Sequence, residues 1–137
     1  MKHAVIFGLI LMSQAAFAGS QEHFKLIDTQ GLLKLEKERG DKLVILDANN
    51  EKTRKEEGVI PGAKLLTSYK TYDLDSEVHA SKDSTLVFYC ANTQCQASHA
   101  AAERAYKNGY KDVNVMSDGI QGWKKKGQKS LPVAAKD

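Results

Sequence analysis

The chain has 137 residues, 42% of them hydrophobic, with 20 basic against 17 acidic side chains and a formal net charge of +3. That is length for one domain around one core. The positive excess is too small and too dispersed for a nucleic-acid binder, and no segment beyond residue 18 is apolar enough to cross a membrane.

Met1-Lys2-His3 makes a basic start, Ala4 to Met12 an apolar run too short to span a bilayer, and Ala16-Phe17-Ala18 a small-residue ending. This is the pattern of a secretory signal peptide cleaved after Ala18. Residues 1–18 are therefore set apart, and residues 19–137 are expected to form the domain. Export predicts a periplasmic protein, in an oxidising compartment where cysteines pair.

Phe24-Lys25-Leu26-Ile27 reads as a short strand. Asp28 caps a helix carrying Leu32, Leu33 and Leu35, with Lys34, Lys37 and Arg39 towards its end and Gly40 as the stop. Leu43-Val44-Ile45-Leu46 is a continuous apolar run, expected of a strand buried on both faces. Glu51 to Glu57 is a polar helix, broken by the turn residues of Gly58-Val59-Ile60-Pro61-Gly62-Ala63. Lys64-Leu65-Leu66 is a further strand. Tyr69 to His79 reads as a helical turn within a loop. Thr85-Leu86-Val87-Phe88-Tyr89 is a clear strand. A helix capped at or near Ser98 follows, running to about Lys107, with Ala101, Ala102, Ala105 and Tyr106 facing inward. Val113-Asn114-Val115-Met116 is a strand, and Asp118-Gly119-Ile120-Gln121-Gly122-Trp123 leads into a short last helix anchored by Trp123. The basic tail from Lys124 to Lys129 is expected to be a solvated helix end. Strands alternating with helices predict an α/β fold with a mostly parallel sheet and helices on both faces. Ligands of such sheets bind beyond the carboxyl ends of the strands.

Cys90 stands at such an end. Both cysteines lie in Tyr89-Cys90-Ala91-Asn92-Thr93-Gln94-Cys95-Gln96-Ala97-Ser98-His99. A thiol between a strand end and a helix start faces unpaired N–H groups and the positive end of the helix dipole, which favour the thiolate. A staple this short removes little chain entropy. That weakens a structural reading and leaves a redox or catalytic one open.

Four features resemble a single-domain rhodanese: Leu43-Val44-Ile45-Leu46-Asp47; Glu57-Gly58-Val59-Ile60-Pro61-Gly62-Ala63; Tyr89-Cys90 before an alanine-rich helix followed by Gly109-Tyr110-Lys111-Asp112-Val113; and Asp118-Gly119-Ile120-Gln121-Gly122-Trp123. Their order and spacing span most of residues 19–137. The resemblance implies an enzyme, a sulfurtransferase whose cysteine takes a sulfane sulfur from a donor, becomes a persulfide and passes the sulfur to a thiophilic acceptor. Cys90 is then catalytic, and Ala91, Asn92, Thr93, Gln94, Gln96, Ala97 and Ser98 form the loop whose N–H groups cradle the anion. No cofactor or metal is implied.

The sequence departs from that family. Its basic loop residue, five positions after the cysteine, falls on Cys95, and the serine after it on Gln96. Counted back from the helix through Gly109-Tyr110, Ser98 matches the serine and Ala97 the basic residue, with a loop two residues longer. In either count, Ala91 to Ser98 holds no cation. Asn49 stands where an arginine follows the strand aspartate, and Val59 where the signature has histidine. A charge-assisted contact to an anion is worth roughly 1.5–3 kcal/mol, so thiosulfate turnover is expected to be poor. A protein thiol or persulfide is the better partner.

Cys95 is a possible resolving thiol for a persulfide or sulfenate on Cys90. Cys90, Cys95 and His99, with Met116 as a speculative fourth ligand, are weighed as a soft-metal site and set aside. His99 is expected in the first helical turn, bonded to a loop group or on the surface. Asp47 is expected to hold loop amides; with neutral Asn49 as its motif partner, no salt bridge is expected there. Tyr69, Tyr72 and Tyr89 carry no signal alone. Phosphoryl transfer needs cations around the equatorial oxygens, which disfavours a phosphatase. Three functions stand: an exported sulfurtransferase or sulfur carrier at Cys90, a thiol–disulfide redox protein using Cys90 and Cys95, and a non-catalytic rhodanese-like binding module.

Overall fold

In the computed structural model, residues 22–133 are described; the expected signal peptide, with its cleavage site at Ala18, lies outside them. Five parallel strands form one sheet in the order β1-β5-β4-β2-β3. They are β1 (Lys25–Ile27), β2 (Leu43–Asp47), β3 (Lys64–Leu65), β4 (Thr85–Tyr89) and β5 (Asp112–Met116). The helices are α1 (Thr29–Arg39), α2 (Glu51–Glu57), α3 (Ala97–Lys107) and α4 (Gly119–Lys125).

The central strand β4 is buried along its whole length, as a continuous apolar run between two helical layers requires. Its side chains alternate between two cores. Leu86 and Phe88 join Leu46, Val113, Val115 and the small α3 residues Ala101, Ala102 and Ala105. Val87 and Tyr89 face the other way, into Leu32, Ile45, Met116, Ile120 and Trp123. Alanines let α3 lie close on the sheet. Tyr106, expected to face inward, is 40% exposed instead; its ring stacks on His23 at 4.4 Å.

Cap chemistry fixes several helix starts. Asp28 accepts from Gly31 N and Asn50 from Thr53 N, each side chain satisfying a donor that the helix leaves open. Ser98 does not cap α3. The N-cap is Gln96, without a side-chain cap bond, and Ser98 is buried in the first turn. The segment from Tyr69 to His79 contains a π-helical turn, Leu74–Val78. Asp73 accepts from Ser76 N at 2.7 Å, while Glu77 accepts from Thr67 N and Asp73 N, both at 2.7 Å. Those bonds hold the Asp73 carboxyl below its ordinary range, through Ser76 first; they do the same for Glu77 against the opposing effect of burial. Trp123 is buried as expected, its indole N–H donating to Lys129 O at 3.0 Å.

Candidate active site

The register of the sheet puts the site together. Asp47 pairs with Tyr89, and Tyr89 with Met116, so β2, β4 and β5 end level. Cys90 is the first residue beyond that edge. It is 2% exposed and packs in the α3 core.

Cys90 and Cys95 are joined by a disulfide, with Cα atoms 6.3 Å apart, inside the range that cystine bridges span. The buried Ser98 hydroxyl lies 3.2 Å from Cys90 Sγ. Of the two ways of counting the loop, the one made back from the helix brings a serine onto the sulfur. Cys95 is half-buried, between exposed Gln94 and Gln96.

The loop is folded by its own polar groups. Asn92 Oδ1 accepts from Gln94 N at 3.0 Å, and Asn92 O accepts from Cys95 N at 3.1 Å. This asparagine-led turn brings the chain back towards Cys90. Ala91 and Asn92 are half-buried, Thr93 and Gln94 form an exposed tip, and Ala97 packs against the α3 core.

The start of α4 holds the first half of the loop. Ile120 N donates to Cys90 O at 2.9 Å, Gln121 N donates to Ala91 O at 3.0 Å, and Asn92 Nδ2 donates to Gln121 Oε1 at 3.3 Å. Gly119 makes this approach possible. It has φ +64°, and a Cβ there would lie 2.5 to 2.7 Å from the backbone of Ala91 and Asn92. The Asp118–Trp123 motif is therefore a clamp on the cysteine loop, which its sequence does not disclose.

Beneath the loop lies a buried polar network. Asp47 is fully buried; its carboxylate accepts from Asn49 N at 2.7 Å, Arg54 Nε at 3.2 Å and Tyr89 Oη at 2.6 Å. Tyr89 Oη in turn accepts from Ile60 N at 3.0 Å. Arg54 also donates to the carbonyls of Asp47 and Leu66 at 2.8 and 2.9 Å. Burial, then the neighbouring Asp47 carboxylate, pushes the Tyr89 phenol far above its ordinary value, so it stays a neutral donor. The expectation that Asp47 lacks a salt bridge is corrected. Its cation comes from α2, seven residues along, because the first helical turn after Asn50 swings Arg54 back over the strand end. Arg54 and Tyr89 are the site-supporting residues that the sequence does not reveal.

His99 Nδ1 lies 3.2 Å from Glu22 Oε1, and the Phe24 ring stands edge-on to His99 at 5.3 Å. The histidine is tied to the N-terminal arm and not to the loop. Met116 packs in the opposite core from Cys90. The Cys90, Cys95, His99 and Met116 set is therefore not assembled, and among the described residues no group of three or more His, Cys, Asp or Glu is placed to hold a metal ion.

With its sulfur in the bridge, Cys90 has no free thiolate. The Ser98 hydroxyl beside it and the start of α3, which has no side-chain cap bond, are the kind of surroundings that favour a thiolate.

The family model of the Rhodanese-like domain matches residues 29–126. No curated protein matches the chain. Among solved structures, the polysulfide-sulfur transferase homodimer of Wolinella succinogenes aligns with a TM-score of 0.67 at 18% identity, covering 82% of this chain and 81% of that one. The rhodanese-like domain of an Anabaena sp. protein aligns at 0.60 with 22% identity over 82% of this chain and 87% of its own. A Rhodopseudomonas palustris protein of unknown function, described as a possible tyrosine phosphatase, aligns at 0.62 with 24% identity over 79% of this chain and 85% of its own. At these identities the likeness is one of fold.

Proposed function

Because the chain belongs to the rhodanese-like domain family, we propose that it is a sulfurtransferase or sulfur carrier that forms a persulfide on Cys90 once the loop is reduced. The observation that carries the reading is the pairing of Cys90 Sγ with the buried Ser98 hydroxyl at 3.2 Å, at the carboxyl edge of the sheet. A persulfide is an anion, and a hydroxyl donor with a helix N-terminus stabilises one without a metal.

Thiosulfate is a poor donor in this reading. Residues 91–98 include no cation, and the Arg54 guanidinium is engaged by Asp47 and Leu66. A protein persulfide docked from outside suits the loop better as donor, and a docked protein thiol as acceptor, because binding energy then comes from surface contacts and not from a charged pocket. The reading includes export to the periplasm, with which an oxidised cysteine pair is compatible.

Mass spectrometry of the reduced protein tests it. Exposure to inorganic polysulfide is expected to add one sulfur atom at Cys90, with much slower addition from thiosulfate. Thiosulfate:cyanide turnover at the rate of an ordinary rhodanese would overturn the donor preference. Failure of every sulfane donor to modify Cys90 would remove the sulfurtransferase reading. The disulfide favours a second reading, thiol–disulfide exchange through Cys90 and Cys95, which predicts cycling of the bridge with a dithiol and no sulfur uptake.

A further inference from the structure

The two sulfur atoms of the bridge are unlike. Cys90 is 2% exposed and its Sγ lies beside Ser98 Oγ. Cys95 is half-buried, in a loop stretch whose neighbours Gln94 and Gln96 are exposed. Cys95 is the more exposed residue of the pair although it packs against the core, so a thiol arriving from solvent is expected to attack Cys95 Sγ. Attack there expels the Cys90 thiolate, the leaving group whose surroundings stabilise negative charge.

The reduced loop keeps the partners close. The Asn92 turn, through Cys95 N and Gln94 N, and the α4 contacts to Cys90 O and Ala91 O are hydrogen bonds independent of the bridge. Cys95 therefore meets Cys90 at the high effective concentration of an intramolecular reaction.

We propose that the loop is a persulfide reductase: Cys95 discharges the sulfur carried by Cys90 as sulfide and closes the disulfide seen here. The proposal rests on the Cys90 persulfide reading above. The Cys90 thiolate attacks a sulfane sulfur, forming a new S–S bond while the donor leaves with the old bonding pair. The Cys95 thiolate then attacks Cys90 Sγ. The bond from Sγ to the sulfane sulfur breaks, and that sulfur departs with the electron pair as hydrosulfide, taking up the proton that Cys95 gave up. The sulfane sulfur is reduced to sulfide, and the two cysteines are oxidised to the bridge. A dithiol reductant resets the loop, entering at Cys95 through a mixed disulfide. The net reaction converts sulfane sulfur and a dithiol into sulfide and a disulfide.

The test uses the full chain, reduced by a dithiol and freed of it. The protein is mixed anaerobically with one equivalent of inorganic polysulfide sulfur, quenched at intervals and weighed intact while sulfide is titrated. The wild-type protein should gain one sulfur, lose it without added thiol, and end two hydrogens lighter than it began, with about one sulfide per chain. Cys95→Ser should gain the sulfur and hold it until an external thiol is supplied. Equal retention by both proteins, or transfer of the added sulfur to Cys95, overturns the reductase while leaving the persulfide on Cys90 intact. Uptake by neither protein overturns that persulfide reading and the reductase with it.

Discussion

Ser98 is buried in the first turn of α3 with its hydroxyl 3.2 Å from Cys90 Sγ. In the reduced protein that O–H is the side-chain donor for the Cys90 thiolate. A hydrogen bond to a charged group contributes about 1.5–3 kcal/mol, and one pKa unit is about 1.4 kcal/mol. Ser98→Ala in a Cys95→Ser background should therefore raise the Cys90 thiol pKa by roughly one to two units, read from the pH dependence of alkylation. An unmoved profile would reduce Ser98 to a core hydroxyl. Arg54 has a different task. Its side chain is 12% exposed, and the guanidinium is bonded to the fully buried Asp47 carboxylate and to two carbonyls. Arg54→Met leaves a buried charge unpaired and should cost about 3–5 kcal/mol in urea unfolding. Arg54→Lys keeps the charge, loses the fork geometry, and should fall between the two. Cys90 was legible as a candidate because strand end, loop and helix start follow one another in the sequence. Ser98 was legible only as one of two counts. Arg54 was not, because it reaches Asp47 across a helical turn while its sequence neighbours are an ordinary polar helix.

The elements around the site act through close approach and buried pairing. Gly119 opens α4 at φ +64° against the Ala91 and Asn92 backbone. Gly119→Ala meets both a left-handed conformation, which costs a residue with a Cβ about 1–2 kcal/mol, and a backbone clash that must displace the loop. The expected result is a stability loss above about 2 kcal/mol together with faster reduction of the bridge, measured by denaturation and by the rate of thiol release. Asp112, at the start of β5, is the acid-sensitive point of the sheet edge. Burial raises its pKa, but bonds from Thr85 Oγ1 at 2.7 Å and Asn114 Nδ2 at 3.1 Å, with Lys25 and Arg39 nearby, outweigh it and bring the carboxyl below its ordinary value. A depressed folded pKa gives stability that is present above the unfolded value of about 3.9 and is lost as pH falls through the folded one. Asp112→Asn should therefore flatten the acid limb of the stability curve by lowering its neutral plateau, with little change below the folded pKa. An unchanged acid limb would remove Asp112 from this role. The elements with a clear local signature, the apolar runs of β2 and β4 and the Asp28-capped α1, were readable from the sequence. The turn at Leu74–Val78 was legible only as a helical turn somewhere in Tyr69–His79, because Asp73 and Glu77 build it by capping backbone N–H groups, a device without a hydrophobic period.

At the scale of the molecule, the bridge is not what keeps the chain folded. It spans a sequence separation of 5, and closing so short a loop is worth only about 2 kcal/mol by chain entropy. The two cores on either face of the sheet are built mostly from side chains other than these cysteines. Reduction should lower unfolding stability by about that amount and leave a cooperative transition in urea. Loss of the folded state on reduction would make the bridge structural and would remove the reduced loop on which sulfur chemistry depends. The free energy difference is small enough for the pair to cycle, which suits a loop whose two cysteines alternate between dithiol and disulfide.

The sequence by itself determined the α/β fold, the strand-end position of Cys90 and the absence of a loop cation, since periodicity, turn residues and composition are local properties of the chain. Tertiary structure alone decided that Cys95 reaches Cys90, that Ser98 and not Gln96 serves the sulfur, that Arg54 answers Asp47, and that Gly119 clamps the loop. The Gly119 clamp joins segments that the chain separates and the sheet register brings level; the other three lie within eight residues and depend on how the loop and the helix start turn back. Such pairings depend on the path the backbone takes through turns and helix starts, which residue types and spacing in a window do not specify.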